Sequence, residues 1–284
     1  MSNRTTESDI RLSDGRVLHA YDVGVRDDDR LAVGWHHGTP NLGHPPTPLF
    51  EEAERLGVRF FSFDRPDYGG SSPHPGRSVG DVAADTAAVA DALGIDRFAV
   101  LGHSGGGPHA LACAALLPER VVAAASVSGP APYDANGVDW YAGMAEPGVA
   151  SNRAAARGRE ARVAHEETGD PEADFGLTSG DVEALGGRWS WVLSVVRPAI
   201  EGGPAGAIAD DLAAVSPWGF DPAAITAPVL LVHGDADRVV PVAHGRWLAA
   251  RVPAAELWVR PGDGHVTVLD AGPEILAWLS DRAG

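Results

Sequence analysis

The chain has 284 residues, 44% of them hydrophobic, and a formal net charge of -17; it is long enough to bury a large core, and its acidity argues against a nucleic-acid partner, which needs a basic surface. Cys113 is the only cysteine, which excludes intrachain disulfides and cysteine-based zinc sites. All 22 basic residues are arginine, so lysine Schiff-base chemistry and a phosphate-gripping P-loop lysine are unavailable.

The amino terminus, "MSNRTTESDIRLSDG", is polar and lacks the apolar stretch of a secretory signal. No segment approaches the roughly 18 uninterrupted apolar residues of a membrane span. The expectation is a soluble, cytoplasmic protein with no membrane partner. Residues 10–24 alternate polar and apolar side chains around Asp14-Gly15, which predicts an antiparallel hairpin. The acidic loop "RDDDR" (26–30) reads as a solvated surface segment. Short apolar runs follow at 31–37, 59–64, 97–103 and 121–129, as expected of strands buried on both faces. Between them lie segments with helical periodicity, the clearest from Val79 to Leu93. Alternating strands and helices predict an α/β fold with a mostly parallel, doubly wound sheet.

That alternation stops after Gly129. From Pro130 to about Ser216 the chain offers helical pieces, such as 153–167 and 181–196, and no clear strand. Strand candidates then resume at 227–237 and 255–265, separated by a helical stretch at 242–252 and followed by a terminal helix near Pro273 to Arg282. The expected organisation is a core from residues 1–130 and 217–284, with 131–216 inserted as a helical cap.

Three sites in this frame carry chemistry. "GHSGG" (102–106) sets Ser104 between a strand and a helix start, with small residues at 102, 105 and 106 to relieve the crowding of a sharp turn. A serine hydroxyl needs a base, itself oriented by a carboxylate. Asp237 follows one late strand candidate and His265 the other; Asp235, two residues earlier, is the alternative acid. The order Ser104, Asp237, His265 differs from the orders of chymotrypsin and subtilisin.

Together these segments resemble the α/β-hydrolase family over nearly the whole chain. "GHSGG" looks like its nucleophile elbow. "GDADRVVP" (234–241) looks like the acid segment, which favours Asp237 over Asp235, and "GDGH" (262–265) like the loop of the catalytic histidine. "HHGTP" (36–40) is similar to the family's oxyanion loop, and this resemblance implies that the Thr39 and Gly105 N–H groups form the oxyanion hole. "DRPDYGGS" (64–71) resembles a further family loop but carries Asp67 where glycine is usual, so a strained turn is expected there.

The resemblance implies a serine hydrolase acting on an ester, thioester or lactone of a small, mainly apolar substrate, with no metal or organic cofactor required. His103, Trp140, Tyr141, Trp189 and Trp191 are the candidate substrate-binding residues, with Met144 and Trp218 nearby in sequence. His36 and His37 read as structural hydrogen-bonding residues, His109 as a helix-packing residue and Cys113 as a small core residue. Cofactor-free perhydrolysis of the haloperoxidase type, C–C bond hydrolysis and aminopeptidase activity share the same triad and stay open. A ligand-binding protein without turnover is the alternative from another class. Homo-oligomerisation is left open.

Overall fold

A computed structural model describes residues 5–24, 30–170 and 173–283; residues 26–29 of the acidic loop lie outside them. The strands are β1 (Thr5–Arg11), β2 (Val17–Val23), β3 (Leu31–His36), β4 (Val58–Phe63), β5 (Phe98–His103), β6 (Val121–Val127), β7 (Val229–Gly234) and β8 (Ala255–Arg260). They form one sheet in the order β1-β2-β4-β3-β5-β6-β7-β8. The β1/β2 and β2/β4 pairings are antiparallel and all later ones parallel. Leu12 and Gly15, the latter at φ 90°, close the β1–β2 hairpin with backbone hydrogen bonds, because glycine alone enters this region without steric cost.

The helices are α1 (Phe50–Leu56), α2 (Val82–Ala92), α3 (Gly106–Leu116), α4 (Glu146–Ala156), α5 (Arg159–Glu167), α6 (Ser179–Gly186), α7 (Trp191–Glu201), α8 (Ala205–Ala214), α9 (Ala243–Arg251) and α10 (Gly272–Ala283). The continuous apolar runs of the central strands are explained by two cores. On β5, Phe98 and Val100 face a cluster shared with α2, α3 and α9, whereas Ala99 and Leu101 face one shared with α1 and α10. On β7, Val229 and Leu231 take the first side, Leu230 and Val232 the second. Side chains of a strand alternate across the sheet, so a strand covered on both faces has no polar positions to spare.

Among the described residues, five α-helices, α4 to α8, lie between β6 and β7 with no strand among them. The helical piece expected at 153–167 is two helices, because Gly158 sits at φ 107° and ends the α4 run. The piece at 181–196 is likewise divided, at residues 187–190 between α6 and α7. Helix α1, between β3 and β4, follows a short 3-10 turn at Thr47–Leu49.

Candidate active site

Strand β5 ends at His103, and α3 begins three residues later. Ser104 occupies the turn at φ 54°, a conformation that costs a non-glycine residue about 1–3 kcal/mol and therefore needs support from its surroundings. Its N–H donates to the Val127 carbonyl at 2.8 Å, and its own carbonyl accepts from Gly107 N–H at 2.9 Å. Glycine is required by close packing: a Cβ at Gly102 would strike the Gly106 carbonyl, and one at Gly106 would strike the His36 carbonyl. The strand and helix approach this closely only without side chains.

Ser104 Oγ lies 2.9 Å from His265 Nε2. On the far side of the ring, His265 Nδ1 lies 2.8 Å from Asp237 Oδ2. The carboxylate fixes the tautomer: Nδ1–H donates to Asp237, leaving Nε2 to accept the serine proton. Asp237 is held in turn by the N–H groups of Val239 and Val240, at 2.8 and 2.9 Å from Oδ1. Burial alone would push the Asp237 carboxyl up, but His265 and the Val240 N–H bring it down to about 2. Burial pulls His265 down, and the adjoining Asp237 and the nearby Asp181 carboxylate outweigh it, leaving the imidazole above its ordinary value. Asp235 is engaged elsewhere, accepting the Gly262 N–H at 2.7 Å in an exposed turn. A hydroxyl hydrogen-bonded to an oriented imidazole can attack an electrophilic carbon as its proton leaves.

The "HHGTP" loop runs beside this turn. A Cβ on Gly105 would lie 2.5 Å from Thr39 Oγ1 and 3.6 Å from Thr39 N, so the two backbones are adjacent. Among the described residues, neither the Thr39 nor the Gly105 N–H has a hydrogen-bond partner. A buried network fixes the loop. Arg65 donates to the carbonyls of His37 and Gly38 and pairs with Asp210 of α8, its Nη2 2.6 Å from Asp210 Oδ2. Arg77, Tyr68 and Thr39 also donate to that carboxylate, at 2.6, 2.9 and 2.6 Å. Burial would raise the Asp210 carboxyl, yet Arg65 and Arg77 hold it well below the usual range. His37 joins the network with Nδ1 2.8 Å from the Gly38 carbonyl and Nε2 accepting the Arg65 N–H at 3.0 Å. Burial drives both His37 and His36 down, His36 to about 3, so both are neutral. Among the described residues no group of three or more His, Cys, Asp or Glu side chains is placed to hold a metal.

The remaining expected site residues are divided. The His103 ring packs on His265, centroids 4.9 Å apart, and its Nε2 lies 2.9 Å from the His265 carbonyl, so it props the histidine loop. Trp189 is fully buried in the α10-side core with Nε1 donating to Asp270. Trp191 packs on Trp35 and lines a groove of about 890 Å3 with Leu42, His44 and Arg188, a groove that includes neither Ser104 nor His265. Trp140 and Tyr141 cluster with Tyr133, and Trp140 packs edge-on to His244, 5.2 Å away, with Nε1 donating to the Ala131 carbonyl beyond β6. Cys113 is buried beside Thr86 and His36, and burial pushes its thiol to about 12. His109 is also buried, with Nδ1 2.7 Å from the Gly105 carbonyl. Asp67 takes φ 74°, as a strained turn requires.

Asp181 and Asp210 went unread in the sequence. Asp181 closes a capping box with Thr178 at the start of α6, and the pattern Thr-x-x-Asp is visible in the chain, but its reach to the histidine loop is not.

Comparison with known proteins follows the same lines. A family described as alpha/beta hydrolase fold matches residues 35–272. The chain is 30% identical over 273 residues to a non-heme chloroperoxidase of Streptomyces lividans, covering 94% of this chain and 95% of that one. A thermophilic esterase from Thermogutta terrifontis superposes with a TM-score of 0.68 at 20% identity, covering 98% of this chain and 100% of the esterase. The enol-lactonase from Burkholderia xenovorans LB400 does so at 0.69 and 20%, over 97% and 99%. At such identities the structural likeness shows the fold alone. With the family match spanning most of its length, the chain belongs to the alpha/beta hydrolase fold family.

Proposed function

We propose that the protein is a serine hydrolase that cleaves an ester, thioester or lactone through an acyl-enzyme. The observation that carries this reading is the continuous line Ser104 Oγ, His265 Nε2 and His265 Nδ1, Asp237 Oδ2, with separations of 2.9 and 2.8 Å. His265 takes the Ser104 proton as Oγ attacks the carbonyl carbon. The tetrahedral oxyanion receives the N–H groups of Thr39 and Gly105, each donor contributing about 3 kcal/mol in comparable sites. His265 then protonates the leaving group and activates the water that releases the acid. Residues 131–216 act as a cap that shapes an apolar acyl or aromatic site, with Trp140 and Tyr141 its aromatic members.

The test is intact-protein mass spectrometry after exposure to a fluorophosphonate, with p-nitrophenyl ester turnover alongside. Wild type gains one adduct and releases nitrophenol; Ser104→Ala and His265→Ala do neither. A folded wild type that stays unlabelled and inert overturns the reading. The chloroperoxidase relative supports a second use of the same acyl-enzyme, attack by hydrogen peroxide in place of water to yield a peracid. Peracid formation from acetate ester and peroxide, lost in Ser104→Ala, distinguishes it from simple hydrolysis.

A further inference from the structure

The histidine loop is held by a residue that belongs to neither the triad nor the core. Asp181 lies on α6, between β6 and β7, and is fully buried. Its Oδ1 accepts the N–H groups of Val266 and Thr267, each at 2.8 Å, and the Thr267 hydroxyl at 3.1 Å. Its Oδ2 accepts the His265 N–H at 3.1 Å and the Thr178 N–H at 2.9 Å. Three successive backbone donors, beginning with that of His265 itself, thus converge on one carboxylate. The approach is close enough that a Cβ on Gly264 would collide with Asp181 Oδ2.

We propose that Asp181 is a positioning residue of the reaction: from the helical segment it clamps the backbone of residues 265–267 and so sets where the His265 imidazole meets Ser104. The proposal rests on the serine-hydrolase reading for its kinetic consequences, but not for the clamp itself. A helix dedicated only to covering the site has no need to bury a carboxylate against the catalytic loop. Burial pushes this carboxyl up, and the N–H groups of Thr267, Thr178 and Val266 overcome it and keep it ionised.

The groups around His265 define a second readout. Ser104 and His103 approach it from the end of β5, Asp237 and His233 from β7 and its following turn, and Asp181 from α6. Burial keeps His103 and His233 below the ordinary imidazole range and therefore neutral. The charge on His265 is thus stabilised by two carboxylates, one of them Asp181. Removing that charge while preserving shape lowers the His265 pKa, a readout separate from the labelling rate.

The experiment compares wild type, Asp181→Asn and Thr267→Val by fluorophosphonate labelling rate against pH, by NMR titration of the His265 ring and by thermal melting. Asp181→Asn is expected to label on the order of 10²-fold more slowly, since a small misplacement of a catalytic group has that effect, with the His265 titration moved to lower pH. Thr267→Val, which removes one donor to the carboxylate together with the acceptor of the Gly264 N–H, slows labelling about tenfold. A folded Asp181→Asn with wild-type rate and unmoved His265 titration overturns the proposal, whether or not its melting point falls. If Asp181→Asn does not fold, Thr267→Val decides, an unchanged rate overturning the proposal. If wild type itself fails to label, the serine reading fails instead, and amide hydrogen exchange at residues 265–267 decides the clamp: faster exchange in Asp181→Asn supports it and unchanged exchange overturns it.

Discussion

Asp237 illustrates what one side chain contributes here. Replacing it with asparagine leaves an amide that fits the space but no longer enforces the His265 tautomer, and kcat is expected to fall on the order of 10⁴-fold with an unchanged fold, measured by ester turnover and circular dichroism. The sign of the pH profile follows from His265. The imidazole must be neutral to accept the Ser104 proton, and its pKa is raised above the ordinary 6.5, so kcat/KM rises with pH through a midpoint above that value. Turnover measured from pH 5 to 9 checks it. Ser104, Asp237 and His265 were legible because each follows an apolar run, where a strand must stop and a loop begin, and because the resemblance of 234–241 to the family's acid segment favoured Asp237 over Asp235. Asp181 and Asp210 were not, because what makes them part of the site is where their helices dock. The capping box of Asp181 predicts a helix start and is silent about what the other carboxylate lone pairs will meet. The contact of His103 with His265 was unreadable for a related reason: it depends on where the histidine loop docks against the end of β5.

At the level of elements, the strand–turn–helix joining β5 to α3 is the part that tolerates least. Gly106→Ala forces a methyl into the His36 carbonyl, where backbone is the obstacle and no side chain can swing aside. Destabilisation of about 3 kcal/mol is expected, read by urea denaturation, together with loss of fluorophosphonate labelling. Strands β3 to β6 were readable to within a residue or two because burial on both faces leaves unbroken apolar runs, whereas β1 begins at Thr5, five residues ahead of the expected hairpin, and β8 ends at Arg260, five residues short of the expected run. Helical pieces between β6 and β7 were readable only as composition. Gly158 at φ 107° divides one of them, and no periodicity announces whether a glycine will be tolerated inside a helix or end it. The bounds of α1 were not readable, because its short polar sequence, with Ala53 as its only buried residue, carries almost no amphipathic signal.

Across the whole molecule, buried imidazoles set the response to acid. Burial lowers His36 and His103 to about 3 and His37 and His109 well below the ordinary value. Their unfolded forms take up protons near 6.5 while the folded forms do not, so the stability they confer is present above pH 6.5 and lost as pH falls toward 3. His233 and His244 are lowered as well; His265 and His19 run the other way, their share present below 6.5 and lost as pH rises through their raised values, but they are two groups against six. Melting temperature is therefore expected to drop from pH 7 to pH 5, checked by calorimetry at constant ionic strength. The same whole-molecule view shows that α6 and α8 are tied to the catalytic framework by Asp181 and Asp210, so their amides should exchange with deuterium as slowly as those of the sheet. For directed evolution, the glycines around Ser104 mark where randomised libraries will be barren. Gly102, Gly105, Gly106 and Gly107 each face backbone or a fixed hydroxyl at less than van der Waals distance, and codons spent there yield inactive clones. Diversity belongs instead at half-buried positions such as Tyr141 and Met144, where, on the proposed cap reading, a new side chain changes the accepted substrate without disturbing the triad.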